Sequence, residues 1–196
     1  ALREMVLRAN GNSVTIRTLD VGAEKAAKTL TDGFGESASS ALGLRGIRLS
    51  LRRTEVLEAQ FRAILRASAH GPVRILLPMV TTVGEMRRAR EILTRMARRL
   101  KRRGAAIADP MPPIGVMIEV PGAALAADAL ALDSDFFAIG SNDLTMYTLA
   151  IDRADEHVAY LYTPLHPAVL RLIQFSAEAA LRADIPVTIC GEMAGD

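Results

Sequence analysis

Two carboxylates stand where apolar runs end. Glu119 closes Ile114-Gly-Val-Met-Ile-Glu119, and Asp143 follows in Phe136-Phe-Ala-Ile-Gly-Ser-Asn-Asp143. A carboxylate at the end of a buried strand needs a cation beside it. Two of them at neighbouring strand ends make a hard-oxygen site suited to Mg²⁺, with substrate oxygens and water completing the shell. Taken alone, Asp143 reads equally well as a helix N-cap or a surface acid.

Arg17, Arg45 and Arg153 flank the same segments. A ligand carrying both a phosphate and a carboxylate needs several guanidinium groups, because Arg pairs with each anion in bidentate fashion. Arg45 lies in Gly43-Leu-Arg-Gly-Ile-Arg48, where glycine lets the backbone approach a ligand closely. Asn142 and Asp143 open an expected helix at residues 144–150, whose first N–H groups suit a phosphate. Cys190 ends another apolar run, just before Gly191 and Glu192. A single cysteine there is by default a small core residue. At a strand's carboxyl end, the alternative is a thiol that donates and regains a proton. His70, His157 and His166 show no metal-ligand spacing, and His166 before Pro167 reads as a structural helix start.

The elements that must carry these groups alternate in type. Strands are expected at residues 14–19, 75–80, 114–120, 136–140 and 187–190. Helical periodicity fills residues 54–69, 83–103, 123–132 and 167–183, with two short helical pieces after residue 140. Residues 31–40 (TDGFGESASS) read as a flexible loop. Strands alternating with helices imply a parallel sheet covered by helices, either an open doubly wound sheet or a closed eight-stranded barrel. No Gly-x-Gly-x-x-Gly follows the first strand, which weakens a dinucleotide site. Arg17, Glu119, Asp143 and Cys190 each fall at or just past the carboxyl end of a different strand, the one face where barrel enzymes gather their chemistry. The expected fold is therefore a parallel (β/α)8 TIM-type barrel, incomplete because five strands do not close eight. Helical sequence is already running at Ala1, and Asp196 comes straight after a strand end, so truncation at both ends is expected.

Composition sets the outer bounds. Half of the 196 residues are hydrophobic and only 4% aromatic, so the core must be aliphatic. Between Arg87 and Arg103 nine basic residues face the single acid Glu91, a run that by itself resembles a nucleic-acid patch. Ile92, Leu93, Met96 and Leu100 recur within it at helical spacing, so the run reads as the solvated face of an amphipathic helix, with no nucleic acid implied. One cysteine excludes an internal disulfide framework and a Cys-rich zinc site. No signal peptide and no long apolar run are present, so a cytoplasmic protein without membrane insertion is expected.

Seven segments occur in a fixed order: Val14-Thr-Ile-Arg-Thr-Leu-Asp20, Gly43-Leu-Arg-Gly-Ile-Arg48, Leu77-Pro-Met79, Gly115-Val-Met-Ile-Glu119, Gly140-Ser-Asn-Asp-Leu-Thr145, Leu149-Ala-Ile-Asp-Arg153 and Cys190-Gly-Glu-Met-Ala-Gly-Asp196. Together they resemble the C-terminal, phosphoenolpyruvate-binding domain of the phosphoenolpyruvate–protein phosphotransferases, enzyme I of the sugar phosphotransferase system. The likeness runs from Val14 onward, and residues 1–196 then form one fragment of that barrel domain. Pyruvate phosphate dikinase and phosphoenolpyruvate synthase share a similar barrel, and the stretch from Thr145 to Arg153 favours enzyme I over the dikinase. The family's Gly-x-x-Arg-Thr-Glu strand does not precede Val14. Arg53-Thr54-Glu55 is a decoy in helical sequence, and Gly22-Ala-Glu-Lys25 replaces the usual Gly-Gly-Asp-Lys.

The resemblance implies roles. Glu119 and Asp143 would hold Mg²⁺, Arg17 and Arg45 the phosphate, and Arg153 with Asn142 the rest of phosphoenolpyruvate. Cys190 would protonate the enolate as pyruvate forms. It further implies a homodimer in the full enzyme, and transfer to a histidine on an absent N-terminal domain and then to the phosphocarrier protein. Turnover by this chain alone is not expected. Two other readings stand beside it: a ligand-binding and dimerisation module without turnover, and a pyruvate-enolate lyase or aldolase on a related barrel.

Overall fold

The computed structural model describes residues 1–20, 41–153 and 155–195. The loop expected at residues 31–40 and the variant motif Gly22 to Lys25 lie outside the described residues. The chain divides into two compact units. The first comprises Ala1–Pro78 with Arg87–Ile114, and the second Met79–Met86 with Gly115–Asp196.

The first unit holds α1 (Leu2–Arg8), β1 (Val14–Arg17), α2 (Gly46–Arg52), α3 (Thr54–Ala67) and β2 (Val73–Leu77). Val14, Thr15 and Ile16 supply the β-branched run of β1, which lies parallel to β2 with Val14 opposite Val73 and Arg17 opposite Leu76. Two parallel strands need a long crossover, and α3 belongs to it. Leu57, Phe61, Ile64 and Leu65 recur at helical spacing on α3 and are all buried. The chain then tightens into a 3₁₀ turn at Ser68–His70, where the sequence pattern alone had extended the helix to residue 69. Helix α2 carries no strong sequence signal, and its first residue Gly46 has φ of 54°, a left-handed conformation that glycine adopts without strain.

Helix α4 (Val83–Arg102) carries the basic run. Its start is a reciprocal capping box: Thr82 N–H donates to Glu85 Oε2 at 2.9 Å, and Glu85 N–H donates to Thr82 Oγ1 at 3.2 Å. Ala89, Ile92, Leu93, Met96, Ala97 and Leu100 form its buried stripe, while Arg88, Arg95, Arg98, Arg99 and Arg102 are exposed. The Arg95 guanidinium reaches Glu58 on α3 at 2.9 Å. These arginines form the polar face of an amphipathic helix.

The second unit contains β3 (Ile114–Ile118), α5 (Pro121–Leu125), α6 (Ala127–Ala131), β4 (Phe137–Gly140), α7 (Ser141–Leu149), α8 (Pro167–Arg182) and β5 (Val187–Cys190). Every residue of β3 and β4 is buried, as strands covered on both faces require. β3 runs parallel to β4 with Val116 opposite Phe137, and β4 runs parallel to β5 with Gly140 opposite Cys190. The single helix expected at residues 123–132 is instead two pieces that break at Ala126 (φ −100°, ψ 16°), and both pack on α8. Pro167 opens α8, where its missing N–H costs nothing, and His166 Nδ1 accepts from Ala168 N–H at 3.1 Å. That histidine is a cap.

Within each unit the strands are parallel, neighbours are consecutive in the chain, and helices fill the crossovers. This is the order of a (β/α)8 barrel rather than of a sheet that reverses at a switch point. Five strands among the described residues make it an incomplete TIM-type barrel. No helix among them is long and apolar enough to cross a membrane.

Candidate active site

In the first unit, two of the expected anion-binding residues meet on one acid. Arg17 is the last residue of β1, and Arg45 is the N-cap residue of α2. Arg45 grips Asp20 with a fork, Nε to Oδ1 at 3.1 Å and Nη2 to Oδ2 at 2.9 Å. Arg17 Nη1 donates to the same Oδ2 at 3.2 Å. The Asp20 side chain is 2% exposed and that of Arg45 is 17% exposed, so the pair is held largely out of water. The sequence reading passed over Asp20. The signal was there: an acid three residues beyond a strand-end arginine, inside the motif already singled out.

The second unit brings together the expected metal ligands. Glu119 directly follows β3 and is 2% exposed. Its Oε1 accepts from the backbone N–H of Met79 at 2.6 Å, and Met79 is held at φ of 59° to present that N–H. Asp143 lies in the first turn of α7, with a carboxylate oxygen within 4.8 Å of one from Glu119. Two carboxylates so close, one of them buried, repel each other unless a proton or a cation intervenes. The donors are hard oxygens, which suits Mg²⁺, Mn²⁺ or Ca²⁺ rather than a softer metal. The donor set therefore fits the expected ion. Gly140 leaves room for the Glu119 side chain: a Cβ there would stand 3.0 Å from Glu119 Cβ and 3.1 Å from Glu119 Oε2.

Cys190 ends β5, half-buried, and its Sγ–H donates weakly to the Ile139 carbonyl at 3.4 Å. The start of α7 holds the backbone around it. Ser141 Oγ–H donates to the Cys190 carbonyl at 2.9 Å, and Asn142 Oδ1 accepts from Glu192 N–H at 3.1 Å. Asn142 is fixed in turn by Tyr162, whose hydroxyl donates to the Asn142 carbonyl at 3.3 Å. Arg153 lies over the Tyr162 ring, 5.7 Å from its centroid, and pairs with Glu192 at 3.1 Å. Within this unit Glu119 and Asp143 form one cluster, Asn142 and Arg153 are joined through Glu192 and Tyr162, and Cys190 is tied to Ser141. Helix α7 starts at Ser141, three residues earlier than its apolar pattern indicated, so Asn142 and Asp143 are in its first turn. Sequence reasoning missed Ser141, Glu192 and Tyr162, none of which carries a pattern distinguishable from ordinary loop or helix polarity.

Comparison with known proteins bears on these residues. The family described as "PEP-utilising enzyme, PEP-binding domain" matches residues 1–196. The chain is 47% identical over its full length to phosphoenolpyruvate-protein phosphotransferase of Cupriavidus necator. It is 44% identical to the protein of the same name in Geobacillus stearothermophilus and 43% identical to that in Bacillus subtilis, again over its full length. It spans about a third of these relatives, 33% to 34% of their length. Among solved structures, a citrate lyase from Burkholderia xenovorans aligns with a TM-score of 0.54 at 23% identity, covering 71% of this chain and 42% of the other. An HpcH/HpaI aldolase/citrate lyase family protein from Burkholderia cenocepacia aligns with a TM-score of 0.54 at 13% identity, covering 98% and 76%. At those identities the likeness is one of fold. The match over every residue of the chain is one of family, and the chain belongs to the PEP-utilising enzymes, within their PEP-binding domain.

Proposed function

We propose that this chain is the phosphoenolpyruvate-binding barrel of a Mg²⁺-dependent phosphotransferase, with residues 1–196 acting as one domain fragment of it. The reaction moves the phosphoryl group of phosphoenolpyruvate to a histidine on a separate N-terminal domain, and from there to a phosphocarrier protein. The P–O bond to the enol oxygen breaks and a P–N bond to the histidine forms. The enolate left behind takes a proton on its methylene carbon and becomes pyruvate.

Each group has a place in this reading. Arg17 and Arg45, ordered by Asp20, would bind the phosphate through charge-assisted hydrogen bonds, and Arg153 with Asn142 would orient the rest of the substrate. Glu119 and Asp143 would hold the metal ion, which when bound offsets charge on the transferring phosphoryl oxygens. Cys190 gives its thiol proton to the enolate carbon, and the thiolate regains a proton from solvent. The observation that carries the reading is the closeness of buried Glu119 to Asp143, within 4.8 Å, in a chain 47% identical to a named phosphoenolpyruvate-protein phosphotransferase.

Calorimetric titration of the chain with phosphoenolpyruvate, with and without Mg²⁺, tests it. Metal-dependent binding that disappears in Glu119→Gln is the expected result, and binding indifferent to metal and to that change refutes the reading. With the acceptor histidine on another domain, the isolated chain should bind without transferring phosphate to the carrier. A homodimer of the full enzyme and a cytoplasmic location complete the proposal.

A further inference from the structure

We propose that Ser141 is a positioning residue for the Cys190 thiol, an inference that rests on the reading of Cys190 as the proton donor. The register of β4 and β5 sets Gly140 opposite Cys190, so the start of α7 lies beside the end of β5. At that point β5 turns through Gly191, at φ of 104°. The peptide groups on both sides of the turn are tied to two successive residues of α7. The Cys190 carbonyl accepts from Ser141 Oγ–H at 2.9 Å, and Glu192 N–H donates to Asn142 Oδ1 at 3.1 Å.

Ser141 is suited to hold rather than merely touch. It is 1% exposed, so water cannot replace the hydroxyl once the contact is lost. Its own carbonyl accepts from Thr145 Oγ1 at 2.7 Å, which anchors it within α7. The contact leaves no slack on the other side, since a Cβ at Gly191 would collide with Ser141 Oγ and stand 3.0 Å from Asn142 Oδ1. The carbonyl that Ser141 grips belongs to the peptide plane directly following the cysteine Cα. Held by that plane on one side and by the β4–β5 pairing on the other, the Cys190 backbone sets the direction of its Cα–Cβ bond, and the Sγ contact with the Ile139 carbonyl selects the rotamer of the thiol. A displacement of about 1 Å in a reacting group can cost on the order of 10²-fold in rate, so such a hold matters for proton delivery.

Cys190 is the only cysteine of the chain, so alkylation by iodoacetamide reads this thiol alone. Ser141→Ala should raise the alkylation rate at fixed pH by at least about fivefold, the scale of one lost hydrogen bond. Ser141→Thr, which keeps the hydroxyl, should stay within about twofold of the unsubstituted chain. Ser176→Ala removes a buried hydroxyl of α8 that donates to the Leu172 carbonyl at 2.8 Å and bonds to neither Ser141 nor Cys190, and should leave the rate unchanged whatever it does to the melting temperature. Gly191→Ala breaks the same contact from the exposed loop side and should raise the rate even if Ser141→Ala does not fold. An unchanged rate in both Ser141→Ala and Gly191→Ala overturns the proposal, as does an equal rise in Ser176→Ala. The reading of Cys190 itself fails separately, if Cys190→Ala leaves turnover of the full-length enzyme intact.

Discussion

Arg45 and Asp20 are locked by two parallel hydrogen bonds, Nε to Oδ1 at 3.1 Å and Nη2 to Oδ2 at 2.9 Å. Arg17 donates to the same carboxylate at 3.2 Å. One acid thus orders two guanidinium groups that come from the end of β1 and the start of α2. An anion-binding arginine is useful only when its guanidinium is already aimed, and a buried carboxylate aims it.

Asp20→Asn should therefore destabilise the chain. The amide keeps one acceptor oxygen but turns an N–H₂ toward guanidinium N–H groups. Breaking a fully buried pair costs about 3–5 kcal/mol, and the partial exposure of Arg45, at 17%, brings the expectation to about 2 kcal/mol. Urea denaturation measures it. A loss below about 0.5 kcal/mol would mean that water serves Arg45 as well as Asp20 does.

Glu119→Gln should separate metal binding from folding. The amide oxygen can still accept from Met79 N–H, the contact now made at 2.6 Å, so the local backbone stays as it is. Without metal the substitution removes a buried charge lying within 4.8 Å of Asp143, and the melting temperature should hold or rise. Affinity for Mn²⁺, followed by electron paramagnetic resonance, should fall by at least about tenfold because a first-row divalent ion loses its buried anionic ligand. A lower melting temperature with unchanged Mn²⁺ affinity would assign Glu119 a structural role instead.

The layout of this site was legible where chemistry and periodicity coincide. Glu119 and Asp143 announced themselves as acids at the ends of apolar runs, and the strands leading to them are buried throughout. Strand ends differ by up to three residues: β1 stops at Arg17 while the apolar pattern runs on to Leu19, and β2 is Val73–Leu77 where residues 75–80 were expected. Helix α2 was invisible because Gly43 and Gly46 read as loop, yet Gly46 only needs its left-handed φ to start the helix. The break at Ala126 also escaped, since a run of alanines has the highest helix propensity and nothing local marks an interruption. Ser141 and Glu192 act on partners distant in sequence, as Asp20 does on Arg45, and no spacing rule encodes those contacts, whereas the i,i+3 pair of Arg17 with Asp20 was open to reading.

Gly140→Ala tests the room left beside Glu119. Gly140 has φ of −84°, open to any residue, so the backbone carries no penalty. The new methyl would instead stand 3.0 Å from Glu119 Cβ and 3.2 Å from Met117 Cγ. Overpacking of this kind costs about 1–3 kcal/mol and moves the carboxylate from its place. Both the stability and the Mn²⁺ affinity should drop, whereas Gly195→Ala, where a Cβ meets nothing within 4 Å, should change neither.

The Arg153–Glu192 pair distinguishes a structural salt bridge from a held substrate arm. Its side chains are 45% and 69% exposed, and exposed pairs contribute about 0–1 kcal/mol, so Glu192→Gln should barely change the melting temperature. If Arg153 binds phosphoenolpyruvate, Glu192 competes with the substrate for the same guanidinium group. Releasing that competition should tighten binding by up to about threefold, in keeping with so weak a pair. The Tyr162 ring, 5.7 Å from the Arg153 guanidinium, keeps the arm from collapsing once Glu192 no longer holds it. Calorimetric titration at constant Mg²⁺ reads the change. Weaker binding in Glu192→Gln would show instead that the acid orients Arg153 for the substrate, and Arg153→Lys should then lose affinity to a similar degree.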